Sequence, residues 1–228
     1  MSTSRESLAP VVTIDGPSGA GKGAVSAGVA RRLGWHVLDS GAVYRAVAAA
    51  ALDRTIAADD ESGLVALCQD LDLVFEAAAT GISVRLNDSP VDDRLRQEEV
   101  SVMSSKVASM PAVRGALLDL QRSYRRLPGL VADGRDMGTV VFPDASCKVF
   151  LDASVEERAN RRYKQLKDKG ENVNFLRLFR DLEARDRRDR ERAVSPTVPA
   201  DDAVVIDSTA MSLEMVIENV LDAVRQRV

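Results

Sequence analysis

The residues of this chain best equipped for chemistry stand near its start: Gly16, Pro17, Ser18, Gly19, Ala20, Gly21, Lys22, Gly23 and Ala24. Gly16, Gly21 and Lys22 have the spacing G-x-x-x-x-G-K of a loop that wraps phosphates. In such a loop, backbone N–H groups converge on the anion, and glycine permits both the positive φ angles and the close approach. The N-terminus of the helix that follows adds positive potential. Lys22 would reach the β and γ phosphates of a nucleoside triphosphate.

Two features complicate that reading. Most phosphate-binding loops place Ser or Thr directly after the lysine as a magnesium ligand, whereas here Gly23 and then Ala24 follow. The same letters, Gly19, Gly21, Gly23 and Ala24 with Asp39 further on, also match a loose dinucleotide fingerprint. That fingerprint needs its first glycine close behind the strand, and Asp15, Gly16, Pro17 and Ser18 intervene. A lysine inside the turn also suits a triphosphate better than a pyrophosphate.

The loop needs a strand before it and a helix after it, and the sequence supplies both. Val11, Val12 and Ile14 form an apolar run, and beyond Lys22 the residues Val25, Val29 and Leu33 recur every four positions before Gly34, a C-terminal cap. Trp35–Asp39 reads as a second strand, and Val43, Val47 and the alanines around them as a second helix. Leu130–Asp133, Cys147–Leu151 and Ala203–Ile206 are three more short apolar runs, each closing on an aspartate. Ser154 and Glu157 form a capping box for a helix from Val155 to about Lys169. Phe175, Leu178, Phe179 and Leu182 mark another helix, and Leu213, Val216, Ile217, Val220, Leu221 and Val224 a last one.

Strands alternating with helices predict an α/β fold, a doubly wound parallel sheet flanked by helices, with ligands beyond the carboxyl ends of the strands. The strand-end aspartates would point there. Residues 64–110 break the rhythm: Leu71–Ala77 and Ile82–Asn87, joined by a tight turn, read as an antiparallel hairpin inserted after the second helix.

At 228 residues and 45% apolar content the chain can bury a substantial core. No stretch approaches the roughly 20 apolar residues of a membrane span, and the first ten residues lack the apolar segment of a secretory signal. A cytoplasmic protein without a membrane partner is the expectation. Cys68 and Cys147 are far apart, with His36 the only histidine, and read as packed free thiols rather than metal ligands. The net charge of −4 gives no sign of a nucleic-acid partner, but it is unevenly spread. Arg158–Arg192 holds thirteen Lys or Arg against seven Asp or Glu, so that segment stands at +6 and the rest at −10. An anion is expected there.

The Gly-Lys-Gly signature resembles the nucleoside monophosphate kinases, in which glycine and then usually threonine follow the lysine. Ala24 departs from that threonine and removes a side-chain contact to phosphates or metal waters, while the backbone cradle remains. Three more segments, Leu38–Arg45, Asp133–Ala145 and Arg185–Pro196, together with the loop closely resemble bacterial cytidylate kinases from about Val11 to the C-terminus. The resemblance implies a P-loop fold with a five-stranded parallel sheet, an inserted monophosphate-binding subdomain containing a small antiparallel sheet, and a helical lid. It divides the chain into core segments 1–60, 113–157 and 193–228, the insertion 61–112 and an Arg-rich lid 158–192. It implies transfer of a phosphoryl group from ATP, with Mg²⁺ bound to it, onto CMP or dCMP. A monomer is expected, because no apolar heptad run is evident.

The resemblance also implies roles. Ser40 and Arg45 would hold the acceptor's α-phosphate and sugar side, with Arg135 and Arg192 also on the phosphate. Ser105, Arg114 and Asp136 would read the cytosine edge, and Asp189 with Arg185 the ribose hydroxyls. Arg158 and Arg162, one helical turn apart, would descend on ATP as the lid closes. Apart from the resemblance, Asp133 at its strand end is expected to order water on the magnesium. The loop Ser208–Ala210 is placed near the adenine. Against these stand plainer readings: the Arg/Asp run 185–192 as a solvated helix face, and Asp133–Gly138 as a simple turn. Kinases for UMP or AMP, for a small hydroxyl metabolite, or an ATP-binding regulatory module are the competing functions.

Overall fold

The structure is a computed structural model and describes residues 8–168 and 170–228. Five strands form a parallel sheet: β1 (Val11–Asp15), β2 (His36–Asp39), β6 (Leu130–Asp133), β7 (Cys147–Asp152) and β8 (Val204–Asp207), in the order β2-β6-β1-β7-β8. A second sheet of three antiparallel strands holds β3 (Leu73–Ala78), β4 (Gly81–Leu86) and β5 (Ser89–Pro90). The helices are α1 (Lys22–Leu33), α2 (Ser40–Asp53), α3 (Glu61–Leu67), α4 (Asp92–Leu95), α5 (Glu98–Val107), α6 (Pro111–Ser123), α7 (Val155–Asp168), α8 (Phe175–Glu191) and α9 (Leu213–Arg225).

Each central strand feeds both faces of the sheet, as alternation requires. Val11, Leu38, Leu130 and Ala132 pack into one apolar cluster with α2, α3, α5 and α6. Their chain neighbours Val12, Ile14, Val37 and Val131 pack into the other with α1 and α9. Burial on both faces explains why these strands read as unbroken apolar runs. Register brings Ile14 opposite Asp133, Asp39 opposite Asp133, and Asp152 opposite Asp207. The strand-end aspartates therefore stand along one edge of the sheet.

The expected hairpin is present, but it has no core of its own. Its Leu73 and Val84 join the α2 cluster and its Ile82 the α1 cluster, so the small sheet lies against α1 and β2. Six-residue strands bury too little apolar surface to stand alone. The capping box at Ser154 is half formed: its hydroxyl accepts from Glu157 N at 3.2 Å, while the Glu157 carboxylate accepts from Arg161. Ser154 N instead donates to Thr209 at 3.0 Å, in the loop after β8. Lys169, the expected end of that helix, lies outside the described residues, as do residues 1–7 of the expected first core segment.

Candidate active site

The loop between β1 and α1 owes its shape to backbone geometry. Gly16 has φ +147°, and a Cβ there would sit 2.0 Å from the Leu151 carbonyl oxygen, so only glycine fits beside β7. Gly21 caps α1 in the left-handed region, at φ 91°. Lys22 is buried and folds back to donate to the Pro17 carbonyl at 2.9 Å, with Asp133 at 3.9 Å. Burial pushes the Lys22 ammonium down from its ordinary pKa and the Asp133 carboxyl up, and their mutual attraction opposes both shifts. The missing hydroxyl has a structural counterpart: a Cβ at Gly23 would lie 3.5 Å from Asp133 Oδ2. The carboxylate stands where a serine or threonine side chain would project.

Across from the loop opens a cleft of about 820 Å³, open to solvent. Asp39 caps α2, accepting from Ala42 N at 2.8 Å, and also holds Arg45 at 2.9 Å. Ser40 donates to Gln121 of α6 at 2.6 Å, and Gln121 is buried, so the serine proton points away from the cleft. Tyr44 lies beneath Arg114, whose guanidinium is 5.6 Å from the ring centre, and burial pushes its hydroxyl up to about 12. Arg114 forms a buried ion pair with Asp136 and donates to the Ala108 carbonyl at 3.2 Å. Arg135 donates to Asp189 at 2.9 Å, and Arg185 stands 3.8 Å from the same carboxylate oxygen.

Six cations line this cleft, Lys22, Arg45, Arg114, Arg135, Arg185 and Arg192, against the four carboxylates Asp39, Asp133, Asp136 and Asp189. The excess is positive and buried. Arg185 is held down to about 10 by burial and by Arg135, and Arg192 is lowered by burial and by Arg114. Arg185 Nε and Arg192 Nη2 are buried with no hydrogen-bond partner among the described residues. Such groups call for an anion, because an unpaired buried donor costs about 1–3 kcal/mol or more. Arg192 is further fixed by donating to the carbonyl of Ser195, a non-glycine residue at φ 51°.

The structure gathers Ser18, Gly19, Lys22, Ser40, Arg45, Ser105, Arg114, Arg135, Asp136, Arg185, Asp189 and Arg192 around one cleft. Arg158 and Arg162, expected to descend on ATP as the lid closes, do not line the cleft. Arg158 is 1% exposed, because Asp186 of α8 draws its guanidinium inward, while Arg162 on the next turn is exposed. Arg161, between them, donates to the Ala20 carbonyl at 3.3 Å and to the Ser208 carbonyl at 2.6 Å, tying α7 to the phosphate loop and to the loop after β8. Asp133–Gly138 is more than a turn. The buried Asp15 accepts from Met137 N and Gly138 N at 2.8 Å each and fixes the segment that presents Arg135 and Asp136.

Arg161, Gln121, Asp15 and Ser104, which also lines the cleft, escaped the sequence reading. Asp15 carried a signal, since a carboxylate at the end of a strand buried on both faces needs a partner. Trp35 is half-buried and His36 exposed at the start of β2, His36 meeting the Leu127 carbonyl at 3.0 Å, and neither lines the cleft. Cys68 and Cys147 are buried and free. Among the described residues no helix is long and apolar enough to cross a membrane, and no group of three or more His, Cys, Asp or Glu could hold a metal ion.

A family model described as cytidylate kinase matches residues 12–226. The chain belongs to the cytidylate kinase family. Curated cytidylate kinases are similar to it over nearly the whole of both chains. That of Aeromonas hydrophila subsp. hydrophila is 56% identical over 220 residues, covering 96% of each chain. That of Methylococcus capsulatus is 58% identical over 216 residues, covering 95% of this chain and 97% of the relative. A solved structure of an uncharacterized protein from Eubacterium ventriosum covers 96% of this chain and 99% of its own, at 11% identity and TM-score 0.50, a likeness of fold alone. Membership in the cytidylate kinase family makes the chain a kinase, and a dinucleotide oxidoreductase reading of the loop falls away.

Proposed function

We propose that the protein transfers the γ-phosphoryl group of ATP to CMP and dCMP, giving CDP and dCDP. The observation that carries this reading is the buried, partly unpaired cage of Arg135, Arg185 and Arg192 directly across from Lys22. Two nucleotides meeting phosphate to phosphate repel, and fixed guanidinium groups offset that repulsion without having to reorient. The acceptor phosphate is already ionised at neutral pH, so no general base is needed. The carboxylates serve instead to aim the arginines.

Lys22 meets the β and γ phosphates of ATP. Arg45, Arg135 and Arg192 meet the CMP phosphate, joined by Ser40 once its proton turns from Gln121. Arg114 and Asp136, held together and therefore fixed in angle, read the donor and acceptor edge of cytosine beside Ser105. Arg185 and Asp189 take the sugar hydroxyls. Arg162, exposed on α7, reaches ATP as the segment 158–192 closes and excludes water. The insertion 61–112, the lid 158–192 and the core segments up to 60, 113–157 and 193–228 are the working parts.

Asp133, a hard oxygen donor beside the phosphate loop, fits a magnesium ion that arrives on ATP and is held through its waters. Bound there, the ion supplies charge neutralisation at the transferring phosphate. A monomer is the state we propose, since the cations assigned to the phosphates all line one cleft of one chain. Two free thiols suit a reducing cytoplasm.

Turnover of a panel of nucleoside monophosphates with ATP tests the reading. CMP and dCMP are expected to be the fastest acceptors. Faster UMP or AMP removes the cytidylate assignment, and ATP binding without CDP production points to a regulatory module.

A further inference from the structure

We propose that Asp186 is a positioning residue that couples the two nucleotide sites, acting through Arg158; the inference rests on the kinase reading above. Neither residue lines the cleft, yet Asp186 is 6% and Arg158 1% exposed. A charged pair so far from water needs a full set of partners. Arg158 has them: Nε donates to the Ala153 carbonyl at 2.9 Å, and Nη1 to the Ser18 carbonyl at 2.8 Å. Its two terminal nitrogens grip both oxygens of Asp186. One guanidinium therefore ties together the end of β7, the phosphate loop and α8.

The helix gripped in this way carries the acceptor cage. Asp189 follows Asp186 by three residues, on the same face and about 4.5 Å further along the axis. It holds Arg135, and its backbone carbonyl accepts from Thr197 N at 2.8 Å. Arg185 precedes Asp186, and Arg192 caps the helix. A fork-to-fork pair resists rotation as well as sliding. When a triphosphate settles the Ser18 carbonyl, Arg158 settles with it, and through Asp186 the turn of α8 that presents Arg185, Asp189 and Arg192. ATP thereby pre-arranges the CMP site, and by linkage CMP pre-arranges the ATP site.

Calorimetry tests this by the affinity of CMP alone and with a saturating magnesium complex of an ATP analogue whose β–γ bridge resists transfer. In wild type the analogue should tighten CMP by a factor in the range of about 5–150. In Asp186→Asn, which keeps the volume and removes the charge, that factor should fall to within about twofold of one, each separate affinity moving less than about threefold. A purely structural role would lower the melting temperature and leave the factor alone. An undiminished factor in a variant with native circular dichroism overturns the proposal. So does a wild-type factor of one, although CDP formation would then still stand. Wild type that binds neither ligand overturns the kinase reading instead. Should Asp186→Asn not fold, deuterium exchange on wild type decides: the analogue alone should slow the amides of Arg192 and Thr197, and unchanged exchange overturns the coupling.

Discussion

Between Gly16 and Lys22 the donor end of the cleft takes its form from main chain: glycines at positive φ, no room for a Cβ at Gly16 beside the Leu151 carbonyl, and a lysine folded onto a carbonyl. The acceptor end is made of side chains from α2, α6, the loop after β6 and α8, each aimed by a carboxylate or an amide. A backbone site fails all at once when a Cβ intrudes, because nothing in it can rotate away. A side-chain cage fails by degrees, one guanidinium at a time.

That contrast orders the expected effects of substitution. Lys22→Ala removes the one fixed cation of the donor loop, and kcat should fall by about 10²–10³ with the fold intact, judged by CDP formation and circular dichroism. A retained rate removes Lys22 from the mechanism. Gly16→Ala should lower the melting temperature and activity together, since the new methyl group would overlap the Leu151 carbonyl; a loss of about 1–3 kcal/mol is expected. Arg192→Ala should lower kcat/KM for CMP by about 10–100-fold, the equivalent of a charged hydrogen bond of about 1.5–3 kcal/mol, and leave KM for ATP nearly unchanged. An equal effect on both substrates would erase the distinction between the two ends.

A pH-dependent effect, read in stability rather than in turnover, sits where the two ends join. Burial raises the Asp15 carboxyl to about 6 against the two backbone N–H groups that lower it. The folded state therefore holds the proton more tightly than the unfolded chain, whose carboxyl titrates near 3.8. Stability from this group is complete below that value and is lost as pH rises through about 6, by about 3 kcal/mol in total. Urea midpoints across that pH range should fall less steeply in Asp15→Asn than in wild type. Parallel curves would remove Asp15 as the source.

Legibility in the sequence follows the same division. The phosphate loop is local, so its spacing and its flanking strand and helix could be read directly, as could the sheet through its short apolar runs and Gly34 through its place behind α1. Arg158 shows why the cage was harder. In sequence it belongs to a run of charges that resembles a solvated face, and only Asp186, twenty-eight residues on, makes it a buried strut. The i, i+4 spacing put Arg158 and Arg162 on one side of α7 but could not say which turn faces the core. Gln121 gave no signal, because its partner Ser40 is eighty-one residues away. The hairpin was visible from its turn, whereas its lack of an independent core depended on α1 and β2 packing beneath it.

The central claim is that one cleft holds two nucleotides with their phosphates end to end. Its most direct test is the calorimetric affinity of a single molecule in which adenosine and cytidine are joined through one continuous phosphate chain. Occupying both sites at once, it should bind at least about 10²-fold more tightly than ATP or CMP alone. An affinity no better than that of either nucleotide would contradict the claim.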